Sequence, residues 1–84
     1  MPLFRVDFSR HAEDMLVERK IERAWVESTV TNPESVEADP KRPEVYRAYR
    51  RIPEHGGRSL RVVYTLSGDR VKIITAFFDR QHRP

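Results

Sequence analysis

The sequence has no cysteine and no long apolar run, and each absence removes a class of protein. Without cysteine among its 84 residues, the chain has no disulfide and no thiolate metal site. No apolar stretch approaches the roughly 18 residues that a membrane-spanning helix needs, and the first residues lack the apolar stretch of a signal peptide. Three glycines and six prolines are too few for a low-complexity chain. We therefore expect one small cytoplasmic domain over residues 1–84.

The charge that is present is mostly arginine. Sixteen basic residues oppose thirteen acidic ones, and thirteen of the sixteen are arginines. Residues 45–84 hold only three of the acids, namely Glu54, Asp69 and Asp79. Arginine binds phosphate through a planar fork and stacks on bases, so a basic second half favours an anionic partner. A solvated surface that keeps the protein soluble explains the same charge equally well.

The first half of the chain shows the spacing of two amphipathic helices. Residues 4–8 alternate like a short strand, after which Ser9 is suited to cap a helix. Apolar residues at helical spacing predict helices over about 9–20 and 22–31. Asn32-Pro33 ends the second helix because the residue before proline avoids helical geometry. The proline-rich segment 33–44 is predicted to be a loop.

The second half of the chain changes to the two-residue period of β-strands. Segments 45–52, 59–66 and 70–79 are rich in β-branched and aromatic residues. His55-Gly56-Gly57 and Ser67-Gly68-Asp69 separate them as hairpin turns. The second turn predicts the pairs Leu66–Val71, Tyr64–Ile73, Val62–Thr75 and Leu60–Phe77.

The predicted fold class is therefore α+β, with two N-terminal helices packed on one face of an antiparallel sheet of three or four strands. The apolar face of the paired strands is expected to pack on the apolar stripes of the helices. The predicted core consists of Phe4, Phe8, Ala12, Leu16, Ile21, Trp25, Val30, Leu60, Val62, Tyr64, Ile73 and Phe77.

Two residues of the first helix are candidates for chemistry. His11 lies in the first turn, and a histidine titrates near neutral pH, which suits a general acid or base. The alternative is a histidine that only completes the helix start. Arg19 falls on the core-facing side, where an apolar residue is expected. It either extends to solvent at the helix end or reaches a phosphate-binding site.

Five arginines and three tyrosines are interleaved along two neighbouring predicted strands. They are Arg47, Arg50, Arg51, Arg58 and Arg61, with Tyr46, Tyr49 and Tyr64. Guanidinium groups for phosphate and rings for base stacking are what RNA recognition needs. Charged residues on edge strands also prevent aggregation, and this alternative stays open. The sequence has no phosphate loop, dinucleotide motif or zinc-ligand spacing, so we expect no cofactor and any catalysis to be metal-free.

Several short motifs, in their order and spacing, resemble a small bacterial domain family of unknown function. They are Phe8-Ser9-Arg10-His11-Ala12, Arg19-Lys20-Ile21, Val26, Asn32-Pro33-Glu34, Leu60-Arg61-Val62-Val63-Tyr64 and Ile74-Thr75-Ala76. The family's N-terminal signature is a histidine–alanine pair with an arginine eight residues after the histidine, as in His11 and Arg19. Where the family commonly has a glycine before the isoleucine, this chain has Lys20. Where the family commonly has a basic residue before the methionine of its first helix, this chain has Met15-Leu16.

The order of elements is also similar to the RelE/ParE toxin superfamily. Many of its members are metal-independent endoribonucleases paired with an antitoxin protein, and others act on gyrase without cleaving RNA. The resemblance implies attack by the RNA's own 2′-hydroxyl, with His11 as general acid or base and Arg19 and Arg61 neutralising the phosphorane. It implies Arg47 on a flanking phosphate, with further RNA contacts from Arg50, Arg51 and Arg58. The expected partners are RNA, including ribosome-bound mRNA, and an antitoxin. The alternative is a non-catalytic module that binds gyrase, nucleic acid or protein.

Overall fold

The computed structural model describes residues 5–79, which form two helices and five strands. In chain order these are β1 (Arg5–Phe8), α1 (Arg10–Arg19), α2 (Arg23–Thr31), β2 (Ser35–Ala38), β3 (Val45–Ile52), β4 (Arg58–Ser67) and β5 (Arg70–Asp79). A single 3-10 turn, Pro53–His55, lies between β3 and β4. The predicted α+β class with two helices packed on a sheet is confirmed.

The sheet has five strands and is mixed, which corrects the prediction of three or four antiparallel strands. The strand order is β1-β5-β4-β3-β2. β1 runs parallel to β5, with Arg5 opposite Arg70 and Phe8 opposite Ile73. The other neighbouring strands are antiparallel. β1 and β5 are far apart in sequence, so no hairpin turn sets their relative direction, and strand periodicity alone cannot reveal it.

Segment 33–44, predicted to be a loop, contains the short edge strand β2. It pairs with β3 from Ser35 opposite Tyr49 to Ala38 opposite Tyr46. Pro33 and Pro40 lie outside the strand, so neither removes a hydrogen-bond donor from the ladder. Four residues, most of them exposed, are too few for an alternating pattern to stand out in the sequence.

The caps of α1 explain where that helix begins and ends. The Oγ of Ser9 accepts a hydrogen bond from the Ala12 N–H at 3.0 Å, as the sequence predicts. Lys20 ends the helix in the left-handed conformation, with φ 56°. Glycine adopts this conformation without a steric penalty, whereas lysine adopts it at a steric cost. The chain therefore turns sharply, and Ile21 enters the core directly after the turn.

Both helices pack on one side of the sheet, here called the helix face. α1 lies on β5, and α2 lies on β3 and β4. The predicted core residues buried there are Ala12, Leu16, Ile21, Val30, Leu60, Val62, Tyr64 and Ile73. Phe8 and Trp25 are only half-buried at the margin of this core, and the predicted core residue Phe4 lies outside the described residues.

Phe77, also predicted to be in the core, lies on the opposite side of the sheet because β5 contains a bulge. The observed pairs are Leu66–Val71 and Tyr64–Ile73, as predicted, followed by Val63–Thr75, Val62–Ala76, Arg61–Phe77 and Leu60–Phe78. The extra residue Ile74 shifts the later pairs by one position. The predicted pairs Val62–Thr75 and Leu60–Phe77 are therefore wrong, and Phe77 leaves the core.

Candidate functional site

The side of the sheet that no described helix covers, here called the open face, carries long charged and aromatic side chains. Alternate residues of β3, β4 and β5 form it, and the register brings together Arg47, Tyr49, Arg61, Val63, Thr75, Phe77 and Asp79. Arg61 lies opposite Tyr49 on β3 and opposite Phe77 on β5. Side chains directly opposite each other on neighbouring strands are close enough to interact.

Arg61 lies between two aromatic rings at the centre of the open face. Its guanidinium carbon is 5.6 Å from the ring centroid of Tyr49 and 5.3 Å from that of Phe77. Its Nη1 is 3.3 Å from Oδ2 of Asp79, and only 22% of the Arg61 side chain is exposed. Two rings and one carboxylate therefore hold the planar guanidinium in a fixed position.

Arg19 reaches the same Phe77 ring from the edge of the sheet. Its Nη1 donates a hydrogen bond to the Ala76 carbonyl at 2.8 Å, and its guanidinium carbon is 5.7 Å from the Phe77 ring centroid. β1 pairs only with residues 70–73 of β5, so within residues 5–79 this carbonyl lies on an edge without a neighbouring strand. The arginine–aromatic cluster, as we name it, consists of Arg19, Tyr49, Arg61, Phe77 and Asp79.

Arg47 extends the row of guanidinium groups towards β2. Its Nε is 3.4 Å from Oε1 of Glu37, and the Tyr49 hydroxyl donates a hydrogen bond to the same oxygen at 2.9 Å. Burial and this hydrogen bond raise the pKa of Tyr49 above its usual value of 10.0. The Tyr49 hydroxyl therefore remains a donor at neutral pH, and the Glu37 carboxylate links Tyr49 to Arg47.

The Nε atoms of Arg47 and Arg61 are buried without a hydrogen-bond partner among residues 5–79. The contact between Arg47 and Glu37 is an ion pair whose geometry does not align Nε for a hydrogen bond. A buried donor without an acceptor is energetically costly. Because these two Nε atoms are enclosed, only the outer Nη atoms of both guanidinium groups are available to a ligand on the open face.

His11 and Arg50 lie away from the arginine–aromatic cluster. His11 is exposed in the first turn of α1, about 12 Å along the helix axis from Arg19. Arg50 pairs with Leu60 on the helix face, and its Nη1 donates a hydrogen bond to the Asn32 carbonyl at 3.0 Å. The structure therefore brings together three of the predicted site residues, Arg19, Arg47 and Arg61, and keeps these two apart from them.

Arg51 and Arg58 lie where β3 ends and β4 begins. The backbone N–H of Arg51 donates to Oε1 of Glu34 at 3.0 Å, and its Nη2 is 3.3 Å from Oε2. These backbone and side-chain hydrogen bonds hold the pKa of Glu34 below its usual value of 4.5. Arg58 is exposed opposite Ile52. Arg51 is therefore already paired, whereas the Arg58 side chain extends to solvent.

Two of the three tyrosines of the arginine-rich strands are buried, and Tyr46 is half-buried. Tyr49 is 3% exposed and Tyr64 is 6% exposed. Tyr46 and Tyr64 stack on each other on the helix face, with ring centroids 5.7 Å apart. Burial raises the pKa of Tyr64. The buried rings of Tyr49 and Tyr64 are unavailable for base stacking, so Tyr64 acts in packing and Tyr49 in holding Arg61.

Sequence reasoning missed three residues of this site, namely Glu37, Phe77 and Asp79. Phe77 was assigned to the core because the bulge has no signature in the sequence. Glu37 lies opposite Arg47, and a search for opposite charges at cross-strand positions would have found it if β2 had been predicted. Asp79 belongs to no motif, and only its position two residues after Phe77 places it on the open face.

The described part of the chain contains neither a cluster of metal-binding side chains nor a helix that could span a membrane. Within residues 5–79, no group of three or more histidine, aspartate or glutamate side chains is arranged to hold a metal ion. Neither helix in that range is long and apolar enough to cross a membrane.

A protein-family model matches most of the chain. The model describes a domain of unknown function, DUF4258, and matches residues 8–78. This range begins at the last residue of β1 and includes both helices and nearly all of β5. Searches of curated proteins and of solved structures find no match. The chain belongs to the DUF4258 family.

Proposed function

We propose that this domain binds RNA on its open face and cleaves it as a metal-independent endoribonuclease of the RelE-like type. The observation that carries the proposal is the convergence of Arg19 and Arg61 on the ring of Phe77. Guanidinium groups that are fixed before the substrate arrives stabilise a phosphate more effectively than mobile ones, because no further ordering is needed.

In the proposed reaction, the 2′-hydroxyl of the RNA attacks the adjacent phosphorus. His11 takes the proton of that hydroxyl, the bond from phosphorus to the 5′-oxygen breaks, and the departing oxygen takes a proton from water. The products are a 5′-hydroxyl and a 2′,3′-cyclic phosphate, which water opens to a 3′-phosphate. Arg19 and Arg61 neutralise charge on the phosphorane, and Arg47 holds a flanking phosphate.

The position of His11 restricts how the RNA lies. The Ser9 N–H donates to the Ile73 carbonyl at 3.1 Å and the Ser9 hydroxyl donates to the Ile74 carbonyl at 3.3 Å, so the start of α1 is fixed on β5. His11 and Arg19 are therefore held about 12 Å apart along α1. The RNA has to pass from the start of α1 over the β5 edge onto the open face, so that one phosphate lies within reach of His11, Arg19 and Arg61.

The test is RNA cleavage by the purified chain, with and without ribosomes and with and without a chelator, followed by analysis of the product ends. We expect cleavage that survives the chelator and leaves a 2′,3′-cyclic phosphate or 3′-phosphate. His11→Ala should slow it by roughly 10²–10⁴ without lowering the unfolding temperature. Val17→Ala, exposed on the same helix, is the control. Full activity in His11→Ala would reject His11 as acid or base, and 3′-hydroxyl products would reject the mechanism.

A non-catalytic module that binds gyrase, nucleic acid or another protein is the second candidate. The observation that favours it is that all three arginines of β3 and β4 on the open face already contact a carboxylate, Arg47 with Glu37, Arg51 with Glu34 and Arg61 with Asp79. A phosphate has to compete with these carboxylates for the same guanidinium groups. RNA binding or gyrase binding without cleavage, with and without ribosomes, would favour this candidate. Under either proposal, the resemblance implies an antitoxin protein as a further partner.

A further inference from the structure

A second concave site lies on the helix face, away from the arginine–aromatic cluster. It is a cleft of about 420 Å³ between the exposed flank of α2, the end of β3 and the 3-10 turn. Trp25 and Ile52 contribute apolar surface, while the charged residues are Glu22, Glu54, Arg50 and Arg51, the last already paired with Glu34. The family resemblance assigns no role to this cleft, and the proposed RNA site does not use it.

The indole of Trp25 forms a rigid wall of the cleft. His55 and Phe78 stack on each other with ring centroids 4.2 Å apart, and Trp25 packs against both, at 5.7 Å from His55 and 6.1 Å from Phe78. Trp25 is nevertheless only half-buried. An indole that is fixed on one side and accessible on the other is well suited to contact a cation or an apolar side chain.

The charges of the cleft are separated along α2. Glu22 precedes the first turn of α2 and Glu54 lies in the 3-10 turn, and neither carboxylate forms an ion pair within residues 5–79. Arg50 lies at the other end of α2, where it donates one hydrogen bond to the carbonyl of Asn32 and retains further donors. One end of the cleft is therefore acidic and the other basic.

A partner segment cannot pair with β3 at this edge by adding a strand. The N–H of Arg51, the next donor beyond the residues that β2 covers, is already bonded to the Glu34 carboxylate at 3.0 Å. Recognition in the cleft would therefore depend on side chains. From Glu22 to Asn32 the helix rises about 15 Å, and four steps of extended chain cover about 13 Å.

We propose that the cleft binds an extended segment of a partner protein that carries an arginine, an apolar residue two positions along and a carboxylate after two more. In an extended chain these three side chains point to the same side. The arginine lies on Trp25 between Glu22 and Glu54, and the carboxylate binds Arg50. The apolar residue fills the middle of the cleft against Ile52. This proposal is independent of the RNA activity.

The test uses Trp25 as its own reporter because the sequence contains one tryptophan. The full chain is titrated with acetyl-Arg-Ser-Leu-Ser-Glu-amide and with the same peptide in reverse order, and both the indole fluorescence and the NMR shift of the indole N–H are followed. We expect a saturable change for one of the two orders. The uncharged analogue with glutamine at both ends should bind markedly more weakly.

Glu54→Arg tests the charge assignment directly. It should weaken binding of the favoured peptide by about fivefold, and it should strengthen binding of a peptide with glutamate at both ends. Glu27→Arg is the matched control, since it changes the net charge equally from a position on α2 outside the cleft, and it should leave both affinities unchanged. The absence of a saturable change in either signal with either peptide order would overturn the proposal. Equal weakening of peptide binding by Glu54→Arg and Glu27→Arg would also overturn it.

Discussion

The two faces of one sheet are built on different principles. On the helix face, Leu60, Val62 and Ile73 are fully buried among aliphatic side chains from both helices. On the open face, Arg61, which lies between Leu60 and Val62 in sequence, is held by the rings of Tyr49 and Phe77 and by an ion pair with Asp79. Burial of apolar surface is non-directional and stabilising, whereas stacked guanidinium groups add little stability but keep their chemical capacity. We therefore expect the stability of the domain to depend mainly on the helix face, and the proposed RNA binding to depend on the open face.

The largest expected effect is on the free energy of unfolding. It distinguishes Leu60 from Arg61, two neighbouring residues of β4 whose side chains point to opposite faces. Leu60→Ala should lower the free energy of unfolding by roughly 2–5 kcal/mol because it leaves a cavity in a tightly packed core. Arg61→Ala removes one largely buried ion pair and two ring contacts but leaves the aliphatic core intact, so its cost should be smaller than that of Leu60→Ala. Urea unfolding of both variants measures the difference. Equal losses would mean that the open face carries as much of the stability as the core.

The next prediction concerns RNA binding, which should depend on the open face and not on the helix face. Arg61→Gln should weaken RNA binding by about tenfold and reduce the dependence of log Kd on log salt by about one phosphate contact. Arg70→Gln removes the same charge from the exposed start of β5 and is the control. Affinities of both variants are measured at several salt concentrations. Equal effects would show that net charge, rather than the arginine–aromatic cluster, determines binding.

A smaller effect is expected where α1 ends. Lys20→Gly should raise the free energy of unfolding by up to about 1 kcal/mol, because glycine tolerates the left-handed conformation that lysine adopts at a cost. The RNA affinity should not change, since the Arg19 contacts to Ala76 and Phe77 do not involve the side chain of Lys20. Thermal unfolding and RNA titration of this variant are measured together. A gain in stability accompanied by a loss of affinity would show that the two faces are coupled through the end of α1.

The helix face could be predicted from the sequence in large part, and the open face could not. Periodicity and the Gly68-Asp69 turn determine the pairs Leu66–Val71 and Tyr64–Ile73, and these are confirmed. The bulge at Ile74 depends on backbone geometry that no residue type signals, and it moves Phe77 to the other face.

The candidate site shows the same limit. Arg19 was recognised as unusual because an arginine stood where an apolar residue was expected. Arg19 and Arg61 lie near the same Phe77 ring only because α1 packs against the β5 edge. This is a long-range contact that spacing along the chain does not encode. The short edge strand β2 was missed for a related reason, and with it the pairing of Glu37 and Arg47.

The smallest expected effect is a pH dependence at the β3 edge, between the two faces. Hydrogen bonds from Arg51 lower the folded-state pKa of Glu34 below its usual value of 4.5. A carboxyl with a lowered folded pKa stabilises the protein above its unfolded pKa, and this contribution is lost as the pH falls through the folded pKa. Glu34→Gln should therefore reduce the loss of stability between neutral pH and about pH 3, measured by urea unfolding. The control is Glu27→Gln, an exposed position on α2, which should leave the acid-induced loss of stability unchanged. An equal reduction of that loss in both variants would contradict a specific role for the contact between Glu34 and Arg51.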